Sequence, residues 1–302
     1  MIAERFKYMP IVAVIIAIVM TVLDGTIMNV ALPSLTKEFK IEPNTAIWLI
    51  NIYQMAIMMF LLVFATVGDI FGYRKVFLCG LGLFTLASAF CAFSWNFESL
   101  IVSRTLQGIG ASAVMSVNTA LVRLIYPPKI LGRGMSYNAV AVAVSSAAGP
   151  TIAGVILSSL SWHWLFAINI PLGIIAFYLG YKLLPASQNA IERKFDYRSA
   201  IGNALTFGLF IYALEGFAHH ESKTLITVSF LLFMVCCWWY LHRQFLISTP
   251  LLPVDLLKIR IFTLSVATSV CSFMAQMLAL VSIPFFLQDT LHFSPVEIGL
   301  LI

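Results

Sequence analysis

The sequence predicts an all-α polytopic membrane protein, and three observations carry that prediction. Of its 302 residues, 61% are hydrophobic and only 10% charged, against about 45–50% and about 25% in a soluble domain. The mean hydropathy is +0.96, so there is too little polar side chain to cover a water-facing surface. The apolar residues also gather into runs of about 20, the length a helix needs to cross a bilayer core.

The runs lie at 9–31, 44–67, 76–95, 99–123, 132–160, 163–184, 199–217, 224–246 and 262–288, and a tenth begins near Ser294. The first, from Met9 to about Val30, is longer than the apolar region of a signal peptide. It ends in Asn-Val-Ala-Leu-Pro without a cleavage pattern, so it reads as a retained first span. Loop charge sets the orientation. With a cytoplasmic N terminus, only Lys37, Lys40 and Lys223 fall in outer loops, Arg104 falls within a span, and every other lysine and arginine is inside. The longest charged break, Pro185–Ser199, follows six spans and carries Glu192, Arg193, Lys194 and Asp196. It separates a six-helix domain (1–184) by a cytoplasmic linker (185–198) from two further helices (199–246) and a last segment (247–302). Spans 1–3 and 4–6 have the count of an inverted repeat.

The same composition excludes several classes. A sequence pI near 9.0 suggests nucleic acid, but the basic residues are dispersed in short loops rather than gathered on one face. The five cysteines, Cys79, Cys91, Cys236, Cys237 and Cys271, all lie in apolar segments, with an odd count and an adjacent pair. That is no disulfide framework, and no Cys/His group has metal-ligand spacing. No nucleophile–base arrangement or phosphate loop points to an enzyme.

Two ionisable residues stand well inside apolar runs, Asp24 in the first and Arg104 in the fourth. A centred charge costs about 2.5–3.5 kcal/mol on insertion scales, so such residues face a cavity or a partner. At 1.5 Å per residue, Asp24 lies about 13 Å below Pro33 and Arg104 about 9 Å below Glu98, on the same side. The pair is expected to meet at similar depth. It either fixes helix packing or takes and releases a proton at Asp24, where burial disfavours the charged form and a nearby cation favours it. Glu215 lies near a span end, where it can snorkel to water. His163, between Trp162 and Trp164, reads as part of an interfacial belt, and His219 and His220 as solvated loop residues. Trp48 and Tyr53, with Asn29, are candidate cavity residues, since aromatic faces attract cations.

Four motifs follow one another in a fixed order. The first is Leu23-Asp24-Gly25-Thr26-Ile27-Met28-Asn29-Val30-Ala31-Leu32-Pro33. The second is Gly68-Asp69-Ile70-Phe71-Gly72-Tyr73-Arg74-Lys75, between spans 2 and 3. The third is Arg104-Thr105-Leu106-Gln107-Gly108-Ile109-Gly110-Ala111-Ser112, and the fourth is Ser145-Ser146-Ala147-Ala148-Gly149-Pro150-Thr151-Ile152-Ala153-Gly154. A run from Trp162 to Gly173 comes after them. Together they resemble the signatures of the major facilitator superfamily, in its 14-helix drug–proton antiporter branch of QacA/EmrB type, over nearly the whole chain. Ile70 stands where the family has an arginine, Ser145 and Ala153 where it has glycines, and His163 where it has an arginine.

The resemblance implies a major-facilitator fold: an N-terminal six-helix bundle, two linker helices, and the start of a C-terminal bundle. It implies proton coupling at Asp24, with Arg104 beside it. Asp69, Gly72, Arg74 and Lys75 would form a cytoplasmic gating loop, with Gly72 making the tight turn. Gln107, Gly108 and Gly110 would form the helix-4 element. Gly149, Pro150 and Gly154 would supply the antiporter motif, where small residues allow close helix approach. The implied function is proton-coupled efflux of lipophilic, cationic drugs or biocides across the bacterial inner membrane, driven by the proton gradient without a cofactor. The expected partners are that substrate, protons and the bilayer. At about 33 residues per span, fourteen helices need roughly 470 residues, so a C-terminal truncation is expected. A separately encoded C-terminal half would then be a further partner; otherwise a monomer is expected. Two alternatives remain open: an uptake facilitator of the same fold for a small metabolite, and a non-transporting remnant.

Overall fold

A computed structural model describes residues 9–186, 195–218, 223–247, 250–252 and 254–289. Among these the regular structure is entirely helical. Helix α1 spans Pro10–Phe39, α2 Pro43–Phe71, α3 Tyr73–Ala92, α4 Phe97–Ile125 and α5 Leu131–Ser159. The sixth run is split into α6, His163–Ala167, and α7, Asn169–Leu183; then come α8, Tyr197–Ala218, α9, Lys223–Leu246, and α10, Arg260–Asp289. Eight spans among the described residues are long and apolar enough to cross a membrane, α6 and α7 counting as one. Helix α10 covers the ninth run, and the tenth lies outside the described residues, as do His219, His220 and Glu192–Lys194.

The helices outlast the apolar runs. Helix α1 continues through Pro33 to Phe39 and stops where Lys40 adopts a left-handed conformation (φ 53°), its N–H bonded to the Thr36 carbonyl. Hydropathy marks the lipid-facing length, whereas the helix end is set by this cap. Helix α2 ends at Gly72, whose φ of 98° is strained for any residue with a side chain. Helix α4 starts at Asn96, whose side chain accepts from Ser99 N–H at 2.7 Å.

The chain divides into two compact units, Met1–Arg243 and Gln244–Ile302. In the first, α4 packs against α2 and α3, while α5 and α7 pack against α1. Close approach comes from glycine. A methyl group on Gly108 would fall 2.6 Å from the Tyr53 carbonyl oxygen, and one on Gly110 would fall 2.6 Å from Phe84 N. Helix α4 is thus pressed between α2 and α3 at adjacent levels. The buried stripe of α5 is Gly134, Ala141, Ser145, Gly149 and Ala153, and a methyl on Gly149 would meet Thr26 of α1. Ser145 and Ala153 therefore stay on the packed stripe. Gly154, expected to share in this packing, has nothing within 4 Å, and Pro150 is exposed.

Helix α8 packs on α2. Asn203 donates to the Met59 carbonyl at 2.8 Å and accepts from Tyr240 of α9 at 3.2 Å. In the second unit, Gln244 Oε1 accepts from Leu251 N at 2.7 Å, ahead of a 3-10 turn (Val254–Lys258) that leads into α10.

Candidate functional site

Asp24 and Arg104, the two charges that stood out within apolar runs, form an ion pair between Arg104 Nη1 and Asp24 Oδ2. Both are buried, at 2% and 0% exposure. The pair belongs to a network drawn from five helices. Gln107 Nε2 donates to Asp24 Oδ1 at 2.8 Å and approaches Ser88 Oγ of α3 at 2.9 Å. Its Oε1 accepts from Arg104 Nη1 at 2.7 Å, and Cys91 Sγ lies 3.6 Å from the same oxygen. Asn169 Nδ2, at the start of α7, donates to Asp24 Oδ1 at 3.1 Å. Arg104 Nε reaches the Leu49 carbonyl of α2 at 3.1 Å.

Tyr53 forms the floor. Its hydroxyl donates to the Thr21 carbonyl at 3.0 Å, and the Arg104 guanidinium carbon lies 4.2 Å from its ring centre. Arg104 Nη2 has no hydrogen-bond partner among the described residues, so the cation–π contact is an important compensation for desolvating this side chain.

Helix geometry explains why these residues meet. Arg104 and Gln107 are three apart on α4, as are Ser88 and Cys91 on α3, so each pair shares a face. Gly108 and Gly110 bring α4 close enough to α2 and α3 for short polar side chains to reach. Asp24 is met by three donor groups, a surrounding that matches a carboxylate, which accepts only. Neutralising Asp24 would strand Arg104 as a buried, uncompensated cation, a state that costs several kcal/mol.

The candidate cavity residues separate. Tyr53 lies within the network. Trp48 is half-buried, its ring 6.0 Å from that of Tyr212 on α8. Asn29 is exposed. It shares a face of α1 with Gly25, and a methyl on Gly25 would lie 3.8 Å from Gln54 Nε2 on α2. Gln54 and Met58, four apart on α2, are exposed. Asn29, Gln54 and Met58 thus outline an open polar–apolar face beside the buried pair.

At the loop between α2 and α3, Asp69 accepts from the Tyr73 hydroxyl at 2.6 Å. Arg74 donates to the Tyr181 carbonyl of α7, with its guanidinium 5.8 Å from the Tyr181 ring. Lys75 is exposed and makes no ion pair among the described residues. In the sequence Ser88, Gln54 and Met58 do not stand out, Cys91 reads only as a cysteine of an apolar segment, and Asn169 falls in the run from Trp162 to Gly173. Asn169 carried a signal, an amide just before Pro171 inside an apolar run; the others carried none. Among the described residues no group of His, Cys, Asp or Glu could hold a metal ion.

Residues 14–302 match the family profile of the Major Facilitator Superfamily. The chain is 53% identical to the "Uncharacterized transporter YebQ" of Escherichia coli K12, over 98% of this chain and 65% of that protein. It is 29% identical to the "Riboflavin transporter RibZ" of Clostridioides difficile, over 97% of this chain and 63% of the relative. It is 27% identical to the "Multidrug resistance protein Stp" of Mycobacterium tuberculosis, over 99% and 56%. The chain thus spans less than two thirds of the length of these relatives. In fold it is similar to the human organic anion transporter MFSD10, with a TM-score of 0.53 and 18% identity, over 66% of this chain and 55% of that one. The chain belongs to the Major Facilitator Superfamily.

Proposed function

We propose that the chain is the N-terminal part of a proton-coupled exporter of lipophilic, cationic compounds, with Asp24 as the proton-carrying group. The observation that carries this reading is the buried carboxylate held by Arg104, Gln107 and Asn169 on three different helix positions. A carboxylate so placed cannot change charge without loosening contacts to α4 and α7, which is what coupling a proton to a conformational change requires. The adjoining face of Asn29, Gln54 and Met58 offers amides and a polarisable thioether to a substrate that is mostly apolar. The multidrug resistance name borne by Stp supports the same class of cargo. Loop charge supports a cytoplasmic N terminus in the inner membrane, and the run of motifs supports the 14-helix branch.

A second reading, transport of a single polar metabolite, is favoured by the name of RibZ. The discriminating experiment measures uncoupler-sensitive ethidium efflux from pump-deficient cells expressing the chain, with riboflavin flux followed alongside. Ethidium efflux that disappears in Asp24→Asn, with insertion unchanged by immunoblot, supports the proposal. Efflux retained in Asp24→Asn removes Asp24 from the coupling step, and riboflavin flux without ethidium efflux replaces the substrate class.

A further inference from the structure

A second site lies on the outer side of α2 and α3, away from the Asp24 network. It is a groove of about 240 Å³ that runs along the membrane-spanning part of both helices. Phe64, Val67 and Phe71 of α2 form one wall, and Cys79 and Leu83 of α3 the other. Its floor is closed because α3 and α4 touch there: a methyl on Gly80 would fall 2.6 Å from the Ala113 side chain. Two bulky aromatic residues thus flank a line of small ones, and the result is a slot rather than a flat helix face. From Leu83 to Lys75 the slot follows two turns of helix, about 12 Å.

Among the described residues one charged side chain lines the slot, Lys75 at its mouth. The charged neighbours of Lys75 are engaged elsewhere. Asp69 is held by the Tyr73 hydroxyl, and Arg74 is turned to the Tyr181 carbonyl on α7. An apolar slot in the hydrocarbon zone thus has at its water-side end an ammonium that makes no ion pair among the described residues. An acyl chain fills the slot, and its anionic headgroup meets the lysine.

We infer that the α2–α3 groove is a binding site for an anionic phospholipid, its acyl chain between Phe64 and Leu83 and its phosphate at Lys75. This gives Lys75 a role distinct from the gating loop in which its motif places it. Lys75 would fasten lipid while Arg74 and Asp69 fasten the turn.

The test uses the purified chain, stripped of lipid in detergent and reloaded with phosphatidylglycerol or with phosphatidylcholine of the same acyl chains. Bound lipid is counted by native mass spectrometry. One phosphatidylglycerol should be retained, about fivefold in preference to phosphatidylcholine, the effect of about one basic residue near a headgroup. Lys75→Gln should erase the preference, Lys75→Arg should keep it, and Cys79→Phe should reduce retention of both lipids by filling the slot. Equal retention of the two lipids by the unaltered protein overturns the inference, as does a preference that survives Lys75→Gln. A third outcome also overturns it: no lipid retained and Cys79 closed to maleimide, which means that another helix of the protein occupies the groove.

Discussion

Among the described residues the first unit contains two Asp–Arg pairs, one buried and one partly exposed, and they differ in what breaking them costs. Asp24–Arg104 joins α1 to α4, with both side chains shut off from solvent. Asp196–Arg243 joins the start of α8 to the end of α9, with side chains 20% and 27% exposed. At the second pair Arg243 Nη2 reaches both carboxylate oxygens, at 2.9 and 3.0 Å, and Ser199 adds its hydroxyl at 2.6 Å. Both pairs have good geometry, but only the first is costly to break. Water at the helix ends can replace Arg243, whereas nothing in the interior can replace Arg104. Burial, rather than the identity of the pair, makes the Asp24 contact costly to break and leaves Asp196 a clasp.

The largest effect is expected from breaking the buried pair on one side. Arg104→Ala leaves the buried Asp24 carboxyl without its charge partner and should cost about 3–5 kcal/mol. In a thermal unfolding series in detergent, Asp24→Asn/Arg104→Met should recover much of that loss, since it removes both charges. A double variant no better than Arg104→Ala would show that the pair is not the source of the cost.

Next comes helix spacing. Gly110→Val forces α4 away from Phe84 and should cost about 1–3 kcal/mol, separating Gln107 from Ser88. Gly154→Val, on an open face of α5, should lie within about 0.5 kcal/mol of the parent. Equal damage at the two glycines would contradict the packing described here.

Asn169→Ala removes one donor from Asp24, worth about 1.5–3 kcal/mol for a hydrogen bond to a charged group. Coupled efflux should fall about tenfold or more while the amount of inserted protein holds. Asn169→Gln should restore part of it if its longer amide can still reach Asp24. Identical efflux in the parent and the alanine variant would assign Asn169 to packing alone.

The smallest effect belongs to the exposed clasp. Arg243→Ala should cost about 0.2–1 kcal/mol, and less at high salt. Its pH dependence follows from the Asp196 carboxyl. Partial burial pushes that group up, but the Ser199 hydroxyl, Arg243 and the Ser199 backbone N–H outweigh it and hold it below its ordinary value of 3.8. A lowered carboxyl gives stability that is present above about pH 4 and lost as pH falls further, through the folded value. The difference between parent and Arg243→Ala should therefore be constant from neutral pH to about pH 5 and shrink below pH 4. A difference that grows on acidification would reverse the sign.

The same contrast shows what a sequence discloses. Asp24 and Arg104 were legible because a charge in an apolar run is an anomaly whatever the fold, and their common depth followed from helix rise alone. Gln107, Gly108 and Gly110 were legible as part of a motif, although their division of labour between α2 and α3 was not. Ser88 and Cys91 are ordinary residues of a membrane helix, and only the packing of α3 on α4 makes them neighbours of Gln107. Asp196 was visible as loop charge, but its partner lies 47 residues on, and no local pattern links them. Trp48 was legible as an aromatic candidate for a cavity, whereas its neighbour Tyr212 on α8 left no local sign of the contact. Run lengths located the spans and missed the extension of α1 past Pro33, because polar residues at the end of a helix leave no hydropathy signal.

The most direct test of the central claim follows proton release from the purified chain in weakly buffered detergent solution, read with a pH indicator as ethidium is added. If Asp24 gives up its proton as substrate enters, the parent acidifies the solution in proportion to ethidium bound, and Asp24→Asn binds without acidification. Equal proton release from Asp24→Asn would contradict the account and place the coupling group elsewhere in the protein.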